Sequence, residues 1–87
     1  MKIKDGYMLR EVAGNSVVVA VGKAVLDFNG LIILNSTGTF LWKMLKEETN
    51  QEALLTAILD EYEINEATAK IDIAEFIDKL KGADLFA

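Results

Sequence analysis

Extended, β-branched runs fill this chain from Tyr7 to Leu34, and three segments of helical periodicity fill the remainder. That order restricts the fold more than any other feature. Strands first and helices second, in 87 residues, predict one small sheet packed by three helices, an α+β fold. Proline is absent, and no repeat or linker composition divides the chain, so residues 1–87 are expected to form a single domain.

The first expected strand is Tyr7-Met8-Leu9-Arg10-Glu11-Val12, which mixes apolar and charged residues as a half-exposed strand does. Ala13-Gly14-Asn15 supplies turn chemistry, and Ser16 to Val21 is a second run, apolar on both faces. Gly22-Lys23 marks a bend, and Ala24 to Phe28 continues extended. Asn29-Gly30 tolerates the positive φ angles of a tight hairpin turn, which Leu31-Ile32-Ile33-Leu34 completes. Asn35 or Ser36 can cap the first helix, whose apolar residues are Phe40, Leu41, Met44 and Leu45 with Trp42 beside them. Thr49-x-x-Glu52 reads as a capping box opening the second helix, with Leu54, Leu55, Ile58, Leu59 and Tyr62 at helical spacing. Asn65 caps the third, Lys79 and Lys81 suit its last turn, and Gly82 can end it. The apolar tail Asp84-Leu85-Phe86 is expected to pack back on the body.

Several kinds of chemistry are excluded by what the chain lacks. There is no cysteine, so disulfides, zinc–thiolate sites and thiol catalysis are ruled out. There is no histidine, the commonest general base and metal ligand. Fourteen acidic against nine basic residues give a net charge of −5, which disfavours nonspecific nucleic-acid binding. No cofactor is expected. Neither a signal-peptide core nor a run of membrane-spanning length is present, so a cytoplasmic protein without a membrane partner is the expectation.

Three features could carry function. Leu31, Ile32, Ile33 and Leu34 are consecutive and apolar, so both faces of that strand seek cover. They form either a central strand or an edge that offers free backbone N–H and C=O groups to an added peptide strand. The third helix is apolar on two sides. Ala69, Ile73, Phe76, Ile77 and Leu80 share one face, and Ala67, Ile71 and Ala74 lie roughly opposite, either by accident or as the wall of a groove. The carboxylates Asp60, Glu61, Glu63, Glu66, Asp72, Glu75 and Asp78 fall at solvent-facing positions without calcium-loop spacing, and read as solvated surface.

The run Asp27-Phe28-Asn29-Gly30-Leu31-Ile32-Ile33-Leu34-Asn35 and the following Thr37-Gly38-x-x-Leu41-Trp42 resemble the PqqD-like family, named for coenzyme PQQ synthesis protein D. Strand Tyr7–Val12, Leu54-x-x-x-Ile58-x-x-x-Tyr62 and the third helix with Gly82 and Leu85 extend the resemblance over nearly the whole chain. It implies a winged-helix-like domain, a three-stranded antiparallel sheet followed by three helices. It further implies a noncatalytic adaptor that binds the leader of a ribosomally made precursor peptide by strand addition. Such an adaptor presents the peptide to a modifying enzyme, often a radical SAM enzyme. By position, the implied peptide contacts are Leu31, Ile32, Ile33, Leu34, Ala67, Ile71 and Ala74, with Lys70 and Asp78 at the rim.

Two other readings stay open on the residues alone. A fold of this type can host a winged-helix DNA-binding regulator. The third helix, however, offers Lys70, Lys79 and Lys81 against Glu66, Asp72, Glu75 and Asp78, an unfavourable balance for a recognition helix. An open edge strand could also pair with its own copy, giving a homodimer or oligomerisation module.

Overall fold

The computed structural model describes residues 1–22 and 32–87. Three strands come first, β1 (Tyr7–Val12), β2 (Asn15–Ala20) and β3 (Ile32–Leu34), followed by α1 (Ser36–Leu45), α2 (Gln51–Glu61) and α3 (Glu66–Gly82). The sheet is antiparallel in the order β1-β2-β3, which leaves β1 and β3 as its edges. The α+β class and the three-strand, three-helix order are therefore as expected.

Val12 pairs with Asn15, so the β1–β2 turn has only Ala13 and Gly14 as central residues. Both have positive φ, 52° and 83°, as a two-residue hairpin turn that follows the sheet twist demands. Asn15 thus belongs to the strand and not to the turn. β3 pairs with the first half of β2, with Val17 opposite Ile33 and Val18 opposite Ile32. The expected bend at Lys23, extended run Ala24–Phe28, turn Asn29-Gly30 and strand residue Leu31 lie outside the described residues.

Cross-strand partners share a face. Leu9, Val18, Ile32 and Leu34 therefore face the helices, and Val18 and Leu34 are buried there. Met8, Val12, Val17 and Ile33 point the other way. The core is closed by Leu41, Trp42 and Leu45 of α1, Leu54 and Ile58 of α2, and all five inner-stripe residues of α3: Ala69, Ile73, Phe76, Ile77 and Leu80. Trp42 is wholly inside, with Lys46 Nζ 5.9 Å from its ring centre.

Each helix opens on an asparagine. Asn35, Asn50 and Asn65 accept from the backbone N–H groups of Gly38, Ala53 and Thr68 at 2.7–2.8 Å. The cap of α2 is one residue later than the Thr49 box predicts. Thr49 is occupied by the chain start: its N–H donates to the Met1 carbonyl at 3.0 Å, and its carbonyl accepts from the Met1 amine at 2.8 Å. Asn50→Ala is expected to cost about 1 kcal/mol and Thr49→Ala less than about 0.5 kcal/mol in a denaturant titration. Equal losses would return the cap to Thr49.

The end of α3 also differs in detail. Gly82 is still helical, and the left-handed residue is Asp84, φ 57°, a conformation short polar side chains tolerate. The turn sends Leu85 into the core, and its N–H donates to the Leu80 carbonyl at 3.0 Å. The tail then pairs with the chain start: Ile3 bridges Phe86 antiparallel, and Lys4 Nζ meets Asp84 Oδ2 at 3.0 Å.

Candidate peptide-binding groove

β3 and α3 frame a groove that the α1 N-terminus closes from below. The Asn35 cap holds the first turn of α1 against β3, and Gly38 is what allows α3 to come close. A Cβ on Gly38 would stand 3.4 Å from the Phe76 ring and 3.2 Å from the capping Asn35 oxygen. With hydrogen alone there, Phe76 spans from the core to the groove. Leu34, Gly38, Leu41 and Phe76 form an apolar floor. Asp72, Glu75 and Lys79 of α3 stand along one wall, and Ile33 with the β3 backbone forms the other. The cavity is about 230 Å³, below the range of pockets that enclose a cofactor, but enough for the side chains of a passing chain.

The β3 side of this groove is a sheet edge, so its outward backbone groups have no strand beyond them among the described residues. Ile33 is 60% exposed there. The edge at β1 differs: Arg10 and Glu11 are exposed along it, and charged edges resist strand addition.

The residues singled out from the sequence are distributed as follows. Ile33 and Leu34 line the groove, and Ile32 packs half-buried against the core. Leu31 lies outside the described residues. Ala67, Lys70, Ile71, Ala74 and Asp78 are all exposed on α3. Lys70 and Ala74 line a separate hollow toward α2, with Gln51, Glu52 and Leu55. Ile71, 58% exposed, follows Glu75 around the helix by about 40° and stands outside the lip of the groove.

Asp72, Glu75, Phe76 and Lys79 were not singled out as groove residues from the sequence. Apolar periodicity carries no information about charged positions, and Phe76 belongs to the core stripe. The signal that could have found them is angular: Phe76 is at one edge of the inner stripe, and Asp72, Lys79 and Glu75 follow it around the helix at about 40°, 60° and 100°. The seven carboxylates read as surface are all exposed. Among the described residues no three acidic side chains gather as a metal site. No described helix is long and apolar enough to cross a membrane.

A solved structure, TbiB1 in complex with the TbiA(beta) leader peptide, shares this fold with a TM-score of 0.74. The two are 24% identical, and the match covers 98% of this chain and 93% of that one. Comparison with curated proteins finds no match. The family model described as coenzyme PQQ synthesis protein D matches residues 16–85, a span that takes in β2, β3, all three helices and both walls of the groove, and the chain belongs to the PqqD family.

Proposed function

We propose that this protein is a noncatalytic adaptor that binds an extended peptide segment, the leader of a ribosomally made precursor, as a fourth strand beside β3. The observation that carries this reading is the β3 edge, which no described strand covers, facing the α3 wall across an apolar floor. Backbone pairing along the edge supplies affinity without regard to sequence, and alternate side chains of the added strand meet the floor. Family membership and the fold shared with TbiB1 support the same reading. A cytoplasmic peptide-modifying enzyme, such as a radical SAM enzyme, is the partner to which the held peptide is presented.

The test uses synthetic N-terminal segments of short reading frames that neighbour the gene. Micromolar binding is expected, with the largest amide shifts in 15N spectra at Ile32–Leu34 and along the groove side of α3. Shifts confined to the α2–α3 hollow, or tighter binding to duplex DNA that weakens steeply with salt, would overturn the reading.

A further inference from the structure

We infer that the groove selects a cationic strand: a peptide with an aliphatic or aromatic residue for the Phe76 floor and Lys or Arg at a neighbouring inward-facing position. This rests on the strand-addition reading and goes beyond it by naming the side-chain chemistry of the occupant. The argument begins with how α3 disposes of its charges. Glu66 is answered within the helix by Lys70 at 3.6 Å. Asp72 and Glu75 have no ion-pair partner among the described residues, and both line the groove. Glu75 and Lys79 have the same i,i+4 spacing as Glu66 and Lys70, yet no ion pair joins them.

The geometry limits where a complementary charge can sit. From Asp72 to Lys79 the helix rises about 10 Å, the length of roughly three extended residues. Side chains of an added strand alternate, so only about two of them face α3 over that span. One meets the Phe76 floor. Its inward neighbour on the Asp72 side faces two carboxylates, where a lysine or arginine gains and an aspartate or glutamate is repelled. The lone Lys79 at the other end sets a polarity along the groove, tolerating an acidic residue there. The net charge of −5 on the whole chain draws the same cationic segment toward the site.

The probe is a phage library of random linear peptides, selected in parallel on the parent, on Asp72→Lys/Glu75→Lys and on Lys79→Glu. All the replaced residues are exposed, so melting temperatures should be unchanged. The parent should enrich apolar, β-prone peptides carrying Lys or Arg two positions from an aliphatic or aromatic residue. The double reversal should weaken these by about tenfold and enrich acidic peptides in their place. Lys79→Glu, which replaces the one cation lining the groove among the described residues, should shift selection further toward Lys- and Arg-bearing peptides and abolish the tolerance for an acidic residue at that end. Enrichment of strand-forming peptides with no charge preference, and a double reversal that binds within about twofold of the parent, would overturn the charge inference and leave strand addition standing. Failure to enrich any peptide that perturbs the β3 amides would overturn both.

Discussion

Phe76→Ala should lower the melting temperature by roughly 10–25 °C. Deleting a mostly buried phenylalanine costs about 3 kcal/mol, the lower end of the usual range because one edge of this ring borders the groove. A domain of this length has only about 4–13 kcal/mol in total, and each kcal/mol moves the melting point of so small a domain by about 4–8 °C. Phe76 is 9% exposed and belongs to the buried core cluster, so truncating it leaves a cavity there. A thermal melt followed by circular dichroism measures the effect. A shift under about 5 °C would mean that α3 is held by its other core residues and that Phe76 serves the groove alone. The variant should also bind peptide more weakly at temperatures where it remains folded, because the floor has lost its largest side chain.

The second large effect concerns the backbone of β3. In an antiparallel strand, successive residues direct their N–H groups to opposite sides. Of Ile32 and Ile33, one therefore points toward β2 and the other away from it. Proline removes the donor at each in turn. Substitution at the β2-facing position should destabilise the sheet. Substitution at the other should leave the melt near that of the parent and weaken peptide binding by about tenfold or more, since a ladder bond and room for the new strand are both lost. Calorimetric titration of each variant, paired with its melt, separates the two. Tight binding by the variant that melts normally would mean the peptide does not add beside β3. Amide hydrogen exchange gives an independent reading, because the edge-facing N–H of β3 should gain protection when peptide is present.

Much of this architecture could be read from residue spacing, because local chemistry decided it. Asn35 and Asn65 cap where a short polar side chain precedes a periodic run. The inner stripe of α3 is buried throughout, as a period of 3.6 requires. Long-range contacts decided what could not be read. Thr49 has the better local signature for a cap, and loses it to Asn50 because residue 1 engages its backbone on both sides. Asp84 takes the left-handed position although Gly82 is available, because the chain turns where Leu85 can reach the core. In the groove, the apolar residues that make the floor are also core residues, and the α3 wall beside them is charged. Hydrophobic patterning is silent about such a wall, since Asp72, Glu75 and Lys79 look like any solvated helix face until β3 is placed opposite them.

The ribbon that joins the two ends of the chain has a mechanical consequence. Ala87 donates to the Lys2 carbonyl, Ile3 faces Phe86, and Lys4 donates to the Leu85 carbonyl, so the ribbon runs inward from both ends at once. Tension applied between residues 2 and 87 loads these bonds one after another, as a zipper opens, and never all together in shear. Leu85 is the first fully buried residue along the tail, and it is drawn out once the bridges ahead of it have parted. Pulled by its ends, this small domain should yield at low force from the C-terminal tail inward.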